Sequence, residues 1–241
     1  MPYKKLIAGF HIFKKNYFQS KDKELYQNLV DHGQKPETLI IACSDSRIDP
    51  AILTHSTPGD FFAIRNVAAL VPPCNNTGIL HGTSSAIEYA VRQLKVGHIV
   101  ILGHAGCGGV NALATENYKA IDNNDFQFLH HWLGIAATAK EKVYNVLGEA
   151  DDSTKTKALE QASILVSMEN LLSFPWIKDK YTAKEVQIHG WYFDMKKGDL
   201  LEYNPATFRF EEARQHDSTE ALLEEGLNID SFLKNYPRAS S

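Results

Sequence analysis

The chain has 241 residues, of which 44% are hydrophobic and 22% are charged. These proportions are typical of a folded globular protein and exclude an intrinsically disordered one. The net charge of −4, from 25 Lys and Arg against 29 Asp and Glu, provides no basic surface for binding nucleic acid.

No internal repeat or linker-like stretch divides the sequence, so we predict one domain over residues 1–241. Its first part, residues 1–35, is predicted to be a helical arm, with a second short helix from Lys23 to Asp31. One apolar stripe at helical spacing marks the first helix, and it could pack within the chain or against a second copy. The stripe consists of Leu6, Phe10, Phe13 and Tyr17.

Residues 36–205 are predicted to form an α/β core. Three short apolar runs are typical of strands buried on both faces, and the helices between them require a mainly parallel sheet flanked by helices. A further strand is predicted at 186–194, with 200–203 returning beside it as an antiparallel strand. The three runs lie at residues 39–42, 61–64 and 99–102.

Three helices are predicted within this core. The first is opened by a capping box at Ser85–Glu88 and ended by Gly97. The other two extend over residues 126–147 and 154–172. Residues 206–241 are predicted to be a helical tail.

Three cysteines are too few for a disulfide framework, which favours a reducing, cytoplasmic location. No apolar run approaches the ~18 residues of a membrane helix. The N-terminal apolar stretch is too short and too charged for a secretory signal. We therefore expect neither a membrane segment nor a secreted protein.

Two polar segments directly follow predicted strands. They are Cys43-Ser44-Asp45-Ser46-Arg47 and His104-Ala105-Gly106-Cys107-Gly108-Gly109. Because ligands of open α/β sheets bind beyond the carboxyl ends of the strands, we expect Cys43, His104 and Cys107 to lie at one sheet edge. Two thiolates and an imidazole are zinc ligands, and three protein ligands leave a fourth position for solvent, as in catalytic zinc sites.

Other interpretations of these residues stay open. The cysteines and the histidine could form a closed structural zinc site, or the cysteines could be inert thiols. Asp45 could orient a zinc-bound hydroxide, or it could displace the water and ligate the metal itself. Arg47 could hold Asp45 off the metal, and by themselves the two could be an ordinary ion pair.

Cys-x-Asp-x-Arg, followed about sixty residues later by His-x-x-Cys, resembles the β-class carbonic anhydrases. The resemblance extends from the arm through Asp194 and includes Arg65-Asn66-Val67-Ala68 and Ile87-Glu88-Tyr89-Ala90-Val91. It implies the reversible hydration of carbon dioxide to bicarbonate and a proton, by attack of a zinc-bound hydroxide.

When the family's functional residues are matched to this sequence by position, the resemblance implies Zn²⁺ ligands at Cys43, His104 and Cys107. It implies a catalytic dyad of Asp45 and Arg47. It also implies a substrate pocket shared across a dimer interface, so the protein is expected to be a homodimer or homotetramer with the arm packed on its partner. Without the resemblance, the pocket residues would be interpreted as ordinary core or turn residues. They are Gln34, Phe62, Val67, Tyr89 and Gly108.

Two departures from the family pattern change the expectations. The second branch of the family has a regulatory bicarbonate site of a Trp, an Arg and a Tyr. Here Arg65 is present, but Ile40 and Phe193 occupy the other two positions, so we expect the plant-type open site without that regulation. Gln93 replaces a histidine of some plant-type members, and no proton relay is identified.

Two rival functions use the same residues. A hydrolase of carbon disulfide or carbonyl sulfide could be built on the same zinc scaffold. A structural-zinc or thiol-switch protein would hold the metal or the thiols without catalysis.

Overall fold

The computed structural model describes residues 2–20, 23–75, 81–116, 127–213 and 228–237. Within these residues one mixed sheet runs through the middle of the molecule, with its strands in the order β2-β1-β3-β4-β5-β6. The first four strands are parallel, and the last two add antiparallel pairings at one edge. The strands are β1 (Thr38–Cys43), β2 (Phe61–Asn66), β3 (His98–His104), β4 (Gln187–Asp194), β5 (Asp199–Asn204) and β6 (Arg209–Glu212).

Helices flank the sheet and form the N-terminal arm, which confirms the predicted α/β class. The arm consists of α1 (Pro2–Phe18) and α2 (Lys23–His32). None of the described helices is both long enough and apolar enough to cross a membrane. The others are α3 (Pro50–Thr54), α4 (Gly82–Glu88), α5 (Gly108–Thr115), α6 (Gln127–Leu133), α7 (Ala137–Leu147), α8 (Asp152–Leu172), α9 (Pro175–Thr182) and α10 (Ile229–Lys234).

The largest hydrophobic core lies between one face of the sheet and α8. Residues 158–168 of α8 are buried without interruption, as expected for a helix enclosed on all sides. Gly103 and Gly190 on the sheet let α8 approach closely, since a Cβ atom at either position would lie 2.7 Å from a side chain of α8. The opposite face of the sheet holds a smaller cluster of Ile40, Ala42, Val100 and Leu102, with Phe193 packed against it.

The apolar stripe of α1 divides into two parts. Phe13 and Tyr17 pack against Tyr26 of α2, with ring centroids 5.6 and 5.8 Å away. Leu6 and Phe10, by contrast, are 73% and 56% exposed. The stripe therefore joins the two arm helices and leaves an apolar surface on α1.

The helix after β2 starts earlier than its predicted capping box. It begins at Gly82, and Ser85 lies inside it with its hydroxyl donating to the carbonyl of His81 rather than capping a terminus. It continues as a π-helical turn over Tyr89–Leu94 and ends at Lys95, whose φ is 59°, not at Gly97.

The later helices also need correction. The helix predicted over 126–147 is interrupted by a 3₁₀ turn at Gly134–Ala136, where the glycine weakens helix formation; residue 126 lies outside the described residues. Pro175 begins the unpredicted helix α9, because proline is accepted in a first helical turn.

The prediction of a helical tail over residues 206–241 is wrong for Arg209–Glu212, which form β6. Phe210 explains this strand, since its ring packs against Tyr203 and Phe232 at 5.4 and 5.9 Å. The tail is helical at Ile229–Lys234, and residues 214–227 lie outside the described part of the chain.

We expect Gly103→Ala to lower the free energy of unfolding by about 1–3 kcal/mol, the usual effect of overpacking a core. The added Cβ atom would lie 2.7 Å from Cδ1 and 2.8 Å from Cγ1 of Ile164, so α8 must shift. Denaturant unfolding at equal metal content measures the effect. Gly134→Ala is the control, since a Cβ atom there meets nothing within 4 Å; equal stability of the two variants would contradict the packing argument.

Candidate metal centre

The parallel pairing of β1 and β3 brings three predicted residues together. Cys43 ends β1 and His104 ends the neighbouring β3, while Cys107 precedes α5 after a tight turn at Gly106, whose φ is +66°. All three are buried, and their sulfur and nitrogen atoms lie within 4.8 Å of one another. The two sulfurs are 3.9 Å apart.

The donor atoms of this cluster fit a zinc ion. Nδ1 of His104 lies 3.0 Å from the carbonyl oxygen of Ala105, and a carbonyl can only accept, so Nδ1 holds the proton. The lone pair is then on Nε2, which is buried and has no hydrogen-bond partner among the described residues. A buried, unpaired nitrogen beside two thiols is costly by itself and is the expected arrangement of a metal ligand.

The backbone around the two thiols favours negative charge on sulfur. A hydrogen bond from Cys107 lowers the pKa of Cys43, and the amides of Asp45 and Ala68 also lower it, against the effect of burial. The same bond and burial raise the pKa of Cys107, although the amides of Gly109 and Val110 oppose this. Amides of both cysteine loops therefore favour the ionised form of these thiols.

Asp45 and Arg47 form a bidentate ion pair beside the cluster. Nε and Nη2 of Arg47 lie 2.9 and 2.6 Å from Oδ1 and Oδ2 of Asp45, and the Arg47 amide also donates to Oδ1. This pairing holds the pKa of Asp45 well below its usual range. Oδ2 of Asp45 is 3.9 Å from Nε2 of His104, so an ionised carboxylate borders the candidate metal centre.

Arg47 also connects the two loops that supply the candidate metal ligands. Its Nη2 donates to the carbonyl of Gly106 at 2.9 Å, one residue before Cys107. Arg47 thereby fixes Asp45 relative to both cysteine loops.

Arg65 binds the backbone of the loop that bears Cys43 and Asp45. Its guanidinium donates to the carbonyls of Cys43, Asp45 and Ile48, at 3.0, 2.7 and 2.5 Å, and pairs with Asp49 at 3.0 Å. The sequence patterns placed Arg65 in a family motif and in the regulatory site of the other family branch, without a role in the Cys43 loop. In this chain its donors are used to shape the loop that bears Cys43 and Asp45.

The sequence interpretation missed Glu160, a buried carboxylate on α8. Its Oε1 accepts hydrogen bonds from the amides of Gly106 and Cys107 at 2.7 and 3.2 Å, and Oε2 accepts one from Tyr192 at 2.7 Å. Burial raises the pKa of Glu160. A glutamate among the apolar residues of a predicted core helix was the available signal, because acidic side chains are almost never fully buried without partners.

The predicted substrate residues are only partly assembled within one chain. The Phe62 and Tyr89 rings lie 5.8 Å apart, and Tyr89 is 46% exposed. Val67 packs against Gly109: a Cβ atom added to Gly109 would lie 2.7 Å from Cγ1 of Val67. Gly108 opens α5, and Gln34 is exposed in the loop after α2.

The turn after β2 positions Val67, one of the predicted substrate residues. Ala68 and Ala69 have φ angles of 63° and 54°, a left-handed conformation that is unusual for alanine. Trp132 of α6 donates to the carbonyl of Val67 at 2.8 Å. This turn points the amide of Ala68 toward the Cys43 sulfur.

A family model described as carbonic anhydrase matches residues 38–200 of the chain. Beta carbonic anhydrase 5, a chloroplastic protein of Arabidopsis thaliana, is 38% identical over 186 residues, or 77% of this chain. The chain belongs to the β-class carbonic anhydrase family. It spans 59% of the length of the Arabidopsis protein.

Solved β-carbonic anhydrases share the fold. The structure of the β-carbonic anhydrase CcaA is 29% identical, has a TM-score of 0.81 and matches 88% of this chain and 100% of its own. Tetrameric β-carbonic anhydrases of the fungus Sordaria macrospora are 29% identical, with a TM-score of 0.64 over 83% of this chain and 93% of theirs.

We expect Glu160→Ala to reduce zinc retention and to lower stability by about 1–3 kcal/mol, because it leaves the buried amide of Cys107 and the partly buried amide of Gly106 without their acceptor. Tyr192→Phe is the matched control: it removes one hydrogen bond of Glu160 but leaves both amide bonds. Metal analysis after dialysis and denaturant unfolding measure the effects. Full zinc retention in Glu160→Ala would show that Glu160 does not position the loop.

Proposed function

We propose that this β-class protein catalyses the reversible hydration of carbon dioxide to bicarbonate and a proton, with Cys43, His104 and Cys107 holding one Zn²⁺. The observation that supports this is the convergence of those three donor atoms within 4.8 Å, beside the Asp45–Arg47 pair. When bound there, zinc lowers the pKa of water toward neutrality and so supplies hydroxide at neutral pH.

Asp45 is proposed to orient the nucleophile rather than to bind the metal. Each of its oxygens accepts a hydrogen bond from the Arg47 side chain, yet a carboxylate oxygen has a second lone pair for one more hydrogen. Oδ2 can therefore accept the hydrogen of the attacking hydroxyl group and align its lone pair with carbon dioxide. Arg47, anchored to Gly106, restrains Asp45 from ligating the metal.

The substrate side is proposed to combine an apolar wall with polar donors. Phe62, Val67 and Tyr89 suit apolar carbon dioxide, and Gln34 and Gly108 are proposed to donate hydrogen bonds to bicarbonate. Val67 and Tyr89 are 38% and 46% exposed, so a second copy could complete this wall.

We propose that two or four copies assemble through the arm. The exposed apolar residues of α1, such as Leu6 and Phe10, suit burial against another subunit, and the Sordaria relatives are tetramers. The cytoplasmic location stays a prediction, since the Arabidopsis relative is named as chloroplastic.

The open, unregulated form of the site is also proposed. Ile40 and Phe193 lie in an apolar cluster on the sheet face opposite α8, where neither offers a polar atom to bicarbonate. Arg65 is already bonded to three backbone carbonyls. These contacts favour a site without the second bicarbonate.

We expect Cys43→Ser and His104→Ala each to lose the zinc and to lower the hydration rate at least ~100-fold, because each removes a donor atom from the cluster. Stopped-flow hydration assays with metal analysis on the same samples measure both quantities. Cys74→Ser is the control and is expected to keep both, since Cys74 lies outside the cluster. Normal hydration by a zinc-free variant would overturn the proposal, and faster turnover of carbon disulfide than of carbon dioxide would favour the sulfur-analogue hydrolase.

We expect Asp45→Asn to keep the zinc and to lose about 10²-fold or more in rate, the usual contribution of a positioned acid–base group. Glu185→Gln, which neutralises one partner of the Lys180 ion pair, is the control and is expected to have no effect on the rate. An unchanged rate in Asp45→Asn would remove Asp45 from the mechanism.

The pH profile provides a separate test. Because Arg47 depresses the pKa of Asp45, Asp45 stays ionised from about pH 6.5 to about pH 9, and protonation of Asp45 cannot shape the profile there. We expect the wild-type rate to rise smoothly over that range. A steep cooperative loss of rate below about pH 8 would instead indicate that Asp45 closes on the metal.

A further inference from the structure

A second group of metal-ligating side chains lies at the opposite end of the strands from the Cys43 cluster. His98 is the first residue of β3, whereas His104 is the last. His189 lies on β4, directly opposite Val100, so His98 and His189 share one face of the sheet. Nδ1 of His98 is 3.2 Å from Nε2 of His189.

A carboxylate determines which nitrogen of His189 carries the proton and which has an available lone pair. Oε1 of Glu202, on β5, lies 3.0 Å from Nδ1 of His189, and this hydrogen bond lowers the pKa of Glu202. An ionised carboxylate only accepts hydrogen bonds, so Nδ1 of His189 holds the proton and Nε2 presents a lone pair to His98. A carboxylate behind a histidine in this way is the arrangement that supports metal-ligating histidines.

Two imidazole nitrogens at this distance share either the hydrogen of one N–H group or a metal ion. Zn–N bonds of about 2.0–2.1 Å at a tetrahedral angle place two nitrogens roughly 3.3–3.4 Å apart, close to the observed 3.2 Å. Burial, with the neighbouring His189, lowers the pKa of His98, and Glu37 partly opposes this. Burial thus favours the neutral form of the His98 ring. The His189 side chain is 27% exposed, so ions can reach it.

We propose that His98 Nδ1 and His189 Nε2 form a second site, of lower affinity than the cysteine cluster, for a borderline divalent ion such as Zn²⁺ or Ni²⁺. Glu202 orients His189, and water completes the coordination. On binding, the proton of neutral His98 moves from Nδ1 to Nε2 through solvent, and no net proton is released. The proposal is independent of the enzymatic activity, since it uses none of the residues of the cysteine cluster.

The test starts from protein loaded with one zinc per chain and freed of excess metal. Titration with Ni²⁺, followed by calorimetry, is expected to give one further binding event per chain. His98→Ala and His189→Ala are each expected to weaken it at least tenfold, and Glu202→Gln about tenfold through loss of orientation. His32→Ala is the control, because this exposed histidine lies on α2 and is expected to leave the event unchanged.

Histidine ¹⁵N spectra of the unaltered chain provide a readout that does not depend on the variants folding. Zn²⁺ added beyond the first equivalent is expected to shift Nδ1 of His98 and Nε2 of His189 and to switch the tautomer of His98. The proposal is overturned if no further event occurs, if both histidine variants bind Ni²⁺ as the wild type does, or if other histidines shift instead. Binding that both variants retain, or that shifts other histidines, would indicate an adventitious ion only.

Discussion

The parallel pairing of β1 with β3 is the constraint on which the candidate metal centre depends. It aligns Ala42 with Leu102, so that Cys43 and His104 leave the sheet at the same edge although about sixty residues separate them. Cys107 can then reach the same point only because the chain turns sharply at Gly106. A change in the register of this pair would move a thiol to the opposite face and destroy the site.

Two charged side chains then hold the loops that the strands bring together. Arg65 binds the carbonyl oxygens of the Cys43 loop, and Glu160 binds the amides of the Cys107 loop. Arg47 spans both loops through Asp45 and Gly106. Arg65 supplies donors to one loop and Glu160 supplies acceptors to the other, so hydrogen bonds fix the backbone of each loop. Such preorganisation would keep a nucleophile and its acceptor aligned in the proposed active site.

The sheet separates two regions with different chemistry. At the carboxyl ends of its strands, soft sulfur ligands and a buried imidazole suit tightly held zinc. At the amino end of β3, two partly buried imidazoles and a carboxylate are proposed to suit a weaker, exchangeable ion. The residues between them, such as Val100 and Leu102, are buried and apolar, so the two regions do not share side chains.

Local sequence was sufficient to predict the buried strands, the placement of Cys43 and His104 after two of them, and the pairing of Asp45 with Arg47. Those features depend on hydrophobic runs and on short spacings, which are properties of neighbouring residues. The roles of Glu160 and Arg65 could not be predicted in this way, because each acts on a loop more than fifteen residues away. The strand at Arg209–Glu212 was missed for the same reason, since packing of Phe210 against Tyr203 and Phe232 supports it. The sequence by itself therefore determined which atoms are available to bind a metal, while only the tertiary structure decided which of them meet and what holds them there, because hydrogen bonds and packing between distant segments form only when the chain has folded.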